Sequence, residues 1–486
     1  MTVFSHSAGR RLDAATRTLI SAAIVAACAG TGATVTASSA GAVTPPVVSG
    51  PVPSASPIGP TQPTEQASLC ATPSTGGDHT SPPDYFTQLR IAQAWKFSRG
   101  AGQKIAVIDS GVARVPRLSV IPGGDYVSGG DGTSDCDGHG TMVAGVIAGH
   151  PSASDGFAGV APDASIIAIR QHSDYFRVKG QQDSDNQRGL TADEGGYGNV
   201  ATMARAVVQA VNKGATVINI SQAACEPVGR SIGDGPLGAA VRYAYQRNVV
   251  VVAAAGNVQD QGKCNIQNPL VNPADPSDPW GGVRMQASPA WFSDYVLTVG
   301  ATDGGDPASF TLHGPWVGVA APGTGFISLS WKRGGDPIAT GTTQGNNADG
   351  SAKPAAPIAG TSYAAPIVAG LAALIRAKNP GMSAHDVIER IERTAHGFSD
   401  GRDQAVGYGA IDPVAALSDS LPYTPNTRNV YAQEEIAPPV VVHTPSDTPR
   451  YVALGVAAGA VVAAGVIWLA VAPRRRAKRL REDIDY

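Results

Sequence analysis

Lys104-Ile105-Ala106-Val107-Ile108-Asp109 is a short, largely β-branched run that ends in an acid. Branched side chains are stiff at χ1 and pack well on a pleated surface, so the run predicts a strand. Its lack of polar alternation predicts burial on both faces. Runs of the same kind recur at 165–170, 216–221, 249–254 and 296–300, and segments with helical spacing lie at 140–149, 199–213 and 236–247. Strands alternating with helices, each strand nearly wholly apolar, predict an α/β fold with a parallel sheet covered by helices on both faces. In such folds ligands bind beyond the carboxyl ends of the strands, where Asp109 stands.

A second stretch, Gly360-Thr361-Ser362-Tyr363-Ala364-Ala365-Pro366, leads into an apolar helix-like run from Ile367 to Ile375. Gly360 lets the backbone turn sharply, and the free N–H groups and positive dipole end of a helix start favour developing negative charge. Pro366 is expected in the first helical turn, where a missing N–H costs nothing. An ordinary serine cap would read the same way, so a nucleophilic Ser362 needs a base and an orienter elsewhere. His139 sits between glycines in Asp137-Gly138-His139-Gly140-Thr141 at the start of a helix, and Asn257 ends Ala253-Ala254-Ala255-Gly256-Asn257 directly after a strand. Each alone reads equally as a structural or turn residue. Together with Asp109 and Ser362 they supply orienter, base, nucleophile and oxyanion donor.

The 486 residues exceed one ordinary domain but fit a large α/β domain with tails. Arg10, Arg11 and Arg17 precede an apolar segment from Leu19 to Ala29, and Ala40-Gly41-Ala42 offers a small-residue cleavage site, so residues 1–42 are expected to be a signal peptide. Val25-Ala26-Ala27-Cys28 also matches a lipoprotein box, which cleavage near residue 42 would discard. Near the other end Val452 to Ala472 is 21 residues without a charge, about 30 Å as a helix at about 1.5 Å per residue. Six basic residues between Arg474 and Arg481 follow, which predicts one transmembrane helix with a cytoplasmic C-terminus in 473–486. Of the net charge of −3, residues 474–486 contribute +3 and residues 1–42 contribute +2, leaving −8 between them. An acidic exported domain argues against nucleic-acid binding.

Residues 43–66 are rich in Pro, Ser and Thr and read as an extended leader with no packed core; the whole N-terminal extension is 43–83. The domain is expected over 84–418, followed by a Pro-containing stalk at 419–450. Three polar insertions, 171–198, 258–294 and 332–357, are expected at the surface. Cys70, Cys136, Cys225 and Cys264 follow the signal segment, an even number that suggests two disulfides with three connectivities. Cys225 and Cys264 each follow a strand, and consecutive strands of this kind are usually neighbours, which pairs them and leaves Cys70 with Cys136.

The order Asp, His, Ser is that of subtilisin. From about Asp84 to Ala416 the chain resembles the subtilisin-family serine proteases. The resemblance rests on Val107-Ile108-Asp109-Ser110-Gly111, Gly138-His139-Gly140-Thr141, Gly159-Val160-Ala161-Pro162, Val217-Ile218-Asn219-Ile220-Ser221, Ala255-Gly256-Asn257, Ala321-Pro322-Gly323 and Gly360-Thr361-Ser362-Tyr363-Ala364-Ala365-Pro366. It implies that Gly195, Gly196 and Tyr197, together with Ser221, Gln222 and Ala223, flank a bound peptide that pairs as an added strand. It also implies that Ala253, Ala254, Ala255 and Gly256 wall the pocket for the side chain before the scissile bond. Gln222-Ala223 departs from the Leu-Gly usual there.

The whole-chain plan resembles the mycosins, membrane-anchored subtilases of mycobacterial type VII secretion systems. That resemblance implies secreted protein substrates, a membrane, and secretion-complex components as partners, and a leader that wraps the domain. An assembly role with secondary proteolysis is the competing expectation. No cofactor and no metal are expected: Asp131, Asp135 and Asp137 do not match a calcium loop and read as a solvated turn.

Overall fold

The computed structural model describes residues 43–180, 196–259, 262–332, 334, 337–343, 355–397 and 402–418. The signal segment, Gly195, the stalk, the apolar segment from Val452 and the basic tail lie outside them. Among the described residues no helix is long and apolar enough to cross a membrane.

The central sheet has seven parallel strands: β1 (Lys104–Asp109), β2 (Val120–Asp125), β3 (Ser165–Arg170), β4 (Val217–Ile220), β5 (Val250–Ala254), β6 (Val296–Asp303) and β7 (Val317–Pro322). Their spatial order is β2-β3-β1-β4-β5-β6-β7, and Asp306–Pro307 adds a short antiparallel strand beside β6. Four helices matter most: α1 (His139–Ala148), α2 (Val200–Asn212), α3 (Gly235–Gln246) and α4 (Thr361–Lys378). The two-residue period of a strand divides the core. Ile105 and Val107 of β1 join one cluster with Met142 of α1 and Leu371 of α4. Ala106 and Ile108 join the other with Met203 of α2 and Leu237 of α3. This is the predicted α/β architecture with helices on both faces.

β2 and β7 escaped the strand pattern. Pro122-Gly123-Gly124 interrupts β2, which tolerates them because it is an edge strand with a register shift at that point. β6 runs past Gly300 to Asp303 because β7 and Asp306–Pro307 pair with its end.

The insertions are less superficial than their polarity suggests. Met285–Ser288 pairs with Ala224–Pro227, and with Cys264, Leu312 and Trp316 it builds a third buried cluster. Ile338 and Ala339 are buried, as are Gln171, His172 and Ser173. The leader runs along the domain. Thr64–Gln66 pairs antiparallel with Phe176–Val178, and Thr72–Ser74 with Gly341–Thr343. Ala55 and Ala71 are buried. Residues poor in apolar side chains still donate and accept along their backbone, so the leader is held by strand addition rather than by a core of its own. Disulfides join Cys70 to Cys136 and Cys225 to Cys264, the pairing expected.

Candidate active site

Asp109 ends β1 fully buried, and its Oδ1 accepts from the Ser110 N–H at 2.7 Å and pairs with His139 Nδ1 at 2.8 Å. Gly138 holds His139 at the start of α1 with a φ of +80°, and a Cβ there would lie 2.4 Å from the Trp331 ring. Only glycine satisfies both demands. Burial alone would lower the His139 pKa, but the Asp109 charge and hydrogen bond outweigh it and raise it to about 9. For Asp109 burial pulls upward, yet the facing imidazole holds the carboxyl below its ordinary value.

Ser362 occupies the first turn of α4, nearly buried at 9% exposure. Pro366 lies deeper in this helix than expected, because the helix already starts at Thr361. A proline four residues on cannot donate to the Ser362 carbonyl. Ser221 Oγ donates to that carbonyl instead, at 2.8 Å, and Asn219 Nδ2 donates to Ser221 Oγ at 2.8 Å. The strand end at β4 thus completes the helix that carries Ser362.

Asn257 Oδ1 accepts from the Thr361 N–H at 3.0 Å and from Thr361 Oγ1 at 2.9 Å, which leaves its Nδ2 to donate elsewhere. A Cβ built on Gly360 (φ +140°) would lie 3.0 Å from Asn257 Nδ2 and 3.1 Å from Ser362 Oγ. The donor and the hydroxyl therefore flank one small space. His139, Asn257 and Ser362 all line a cleft of about 510 Å³. No hydrogen bond joins Ser362 Oγ to His139 among the described residues; bonds of this kind tighten when substrate binds. The arrangement can hold a histidine in one tautomer beside a hydroxyl and an oxyanion donor, the requirements of acyl transfer.

Ser221, Gln222, Ala223, Ala254 and Gly256 line the same cleft, whereas Ala253 and Ala255 do not. Alternation along β5 explains the split: Ala253 faces the α2–α3 layer and Ala255 the third cluster. Tyr197 also turns away. It pairs with Ser173, and its hydroxyl accepts from the Thr61 N–H of the leader at 2.9 Å. Gly196 packs against the Ser173 carbonyl, and neither residue lines the cleft.

The acids of 131–137 are not one solvated turn. Asp135 accepts from Ser110 Oγ, from the Gly138 N–H and from both the N–H and Oγ1 of Thr141, bracing the rim around His139. Asp137 is buried, and desolvation with the Asp174 and Asp135 charges pushes its carboxyl up to about 8. His172 is buried beside it and pushed down by desolvation. His172 and Asp174 carried no signal in the sequence, because their partners come from distant segments, and Asn219 stood there only within the motif Val217-Ile218-Asn219-Ile220-Ser221.

The family model described as "Subtilase family" matches residues 100–409. Mycosin-1 of Mycobacterium tuberculosis is 44% identical over 444 residues, covering 89% of this chain and 95% of that protein. Mycosin-4 of the same organism is 49% identical over 337 residues, covering 68% of each. The crystal structure of MycP1 from the ESX-1 type VII secretion system superposes with a TM-score of 0.70 at 43% identity, over 78% of this chain and 97% of that one. A chain of an intact ESX-5 inner membrane complex gives 0.70 at 40% identity, over 88% and 99%.

Proposed function

The chain belongs to the subtilase family of serine peptidases, and on that premise we propose that it is a membrane-anchored endopeptidase that cleaves selected secreted proteins and supports a type VII secretion membrane complex. The observation that carries the reading is the Asp109–His139 pair opening on the cleft it shares with Ser362 and Asn257. In this reading Ser362 Oγ attacks the scissile carbonyl while His139 takes its proton, then returns that proton to the leaving amine. Asp109 stays ionised, fixing the tautomer and stabilising the imidazolium. Asn257 Nδ2 and the Ser362 N–H donate to the oxyanion, and water hydrolyses the acyl-enzyme with His139 again as base.

Ser221, Gln222 and Ala223 edge the peptide, and Ala254 and Gly256 wall the pocket before the scissile bond; their common cleft supports this. The uncharged segment from Val452 with its basic flank supports one membrane anchor, the domain on the extracytoplasmic side and the C-terminus in the cytoplasm. A fluorophosphonate probe tests the activity: the folded wild-type chain should label and Ser362→Ala should not. Labelling that persists in Ser362→Ala overturns the assignment.

The likeness to a chain of an inner membrane complex and the disulfide-tied leader favour a second role in assembly. Complementing a deletion strain with Ser362→Ala separates the two. Secretion restored by the inactive chain supports assembly as the main task, and failure to restore it supports proteolysis.

A further inference from the structure

One carboxylate outside the cleft ties both members of the Asp109–His139 pair together. Asp135 stands on the rim loop just ahead of His139 and does not line the cleft. Its Oδ1 accepts from Ser110 Oγ at 2.9 Å and from the Gly138 N–H at 2.7 Å. Its Oδ2 accepts from the Thr141 N–H at 2.8 Å and from Thr141 Oγ1 at 2.5 Å. Ser110 Oγ accepts in turn from the Gly140 N–H at 2.9 Å, and Thr141 Oγ1 from the Ala113 N–H at 2.9 Å. Ser110 follows Asp109 directly, whereas Gly138 and Gly140 flank His139. The residues beside each member of the pair are therefore held to the same side chain.

The first turn of α1 would otherwise leave these N–H groups without partners, since Gly138 has no side chain to cap it. The strand end and the helix start also meet without slack. A Cβ on Gly140 would lie 2.1 Å from the Gly111 carbonyl oxygen and 3.1 Å from the Asp109 Cβ. From outside, Cys136 is tied to Cys70, and the Cys136 carbonyl accepts from the Ala71 N–H at 2.9 Å. Asp135 thus reaches the start of α1 from a loop that is itself anchored. Both its oxygens receive a backbone N–H, the pattern of an ionised carboxylate. Burial pushes its carboxyl up, and the Thr141 and Gly138 donors pull it back. Its charge also acts on the imidazole. Burial opposes the imidazolium of His139; the Asp109 charge favours it most, then those of Asp135 and Asp137. The other groups beside it are His172 and the Tyr363 ring, centred 5.3 Å away, and no Lys or Arg lines the described cleft.

We propose that Asp135 is a positioning residue, whose carboxylate fixes the distance from Asp109 to His139 and steadies the imidazolium that forms when Ser362 gives up its proton. A catalytic base displaced by a fraction of an ångström loses rate steeply, so a clamp on both partners of the pair acts on the chemical step. Its share in the rate rests on the endopeptidase reading; its hold on His139 does not.

Two measurements on the full chain test it. The first needs no activity, so it stands even if the endopeptidase reading falls. Histidine-labelled chain carrying Ser362→Ala is titrated by NMR, with His139→Asn identifying the His139 signal. Asp135→Asn should lower the His139 midpoint, and an unmoved midpoint in the folded variant overturns the proposal. The second is the rate of fluorophosphonate labelling of Ser362 as a function of pH. Asp135→Asn should slow it about 10²-fold and move its midpoint down. Thr141→Val removes one of the four donors and should slow labelling too, whereas Thr141→Ser should restore it. This pair decides the matter if Asp135→Asn does not fold. Thr141→Val labelling at the wild-type rate overturns the proposal. So does a lowered melting temperature in Asp135→Asn with labelling rate and midpoint unchanged, which would leave the network a purely structural brace.

Discussion

At Asp109 and His139, a single 2.8 Å contact sets the working range of the site. Only neutral His139 can accept the Ser362 proton, and its pKa is raised to about 9, so kcat/KM should climb with pH up to about 9 rather than level off near the ordinary histidine value of about 6.5. Asp109→Asn removes the charge that raises it. The midpoint should fall and kcat should drop about 10⁴-fold, both read from a pH–rate profile. The sign for stability is opposite. The raised His139 pKa contributes stability in full below about pH 6.5 and loses it as pH passes about 9. The lowered Asp109 pKa contributes above its unfolded value and is lost in acid. Ser221 is the other residue whose removal should be felt at a distance. Ser221→Ala leaves the Ser362 carbonyl without a donor, which should cost about 1–3 kcal/mol in denaturant unfolding and lower kcat through the displaced nucleophile.

Elements meet at the site with little slack. The start of α4 needs Gly360, whose φ of +140° and close neighbours leave no room for a Cβ. Gly360→Ala should push Asn257 Nδ2 from Ser362 Oγ and reduce kcat about 10²-fold or more, as losing one oxyanion donor does. Single-turnover acylation would read it, and undiminished acylation would remove Asn257 from the donor role. At this scale much was legible. The β-branched runs named five of the seven central strands and the 3.6-residue spacing named α1, α2 and α3 to within a residue or two. β2 stayed hidden because Pro and Gly inside it carry the signature of a turn, and only its place at the sheet edge makes them tolerable. Pro366 was misplaced for a related reason: the donor that makes it harmless, Ser221, sits 141 residues from the Ser362 carbonyl it serves.

Across the whole molecule the leader and the disulfides tie the rim to the sheet. Cys70–Cys136 closes a loop with a sequence separation of 66, which by loop entropy stabilises the fold by about 4 kcal/mol. Replacing both cysteines by serine should lower the thermal midpoint by roughly 10 °C at the 2–4 °C per kcal/mol of a domain this large. An unchanged midpoint would mean that strand pairing alone holds the leader. What the amino-acid sequence determined by itself was local: strands, helices, the order of Asp109, His139 and Ser362, and enough motif to mark the subtilase family. Side-chain period and turn chemistry act over a few residues, so they can be read from a few residues. Tertiary structure alone decided which side chains share a space. It put Ala254 in the cleft and Ala253 in the core, turned Tyr197 to the leader, gave Ser362 a carbonyl partner on β4, and brought Asp137 to His172 and Asp174. Those meetings depend on strand order and burial, which bring together residues that no local pattern connects.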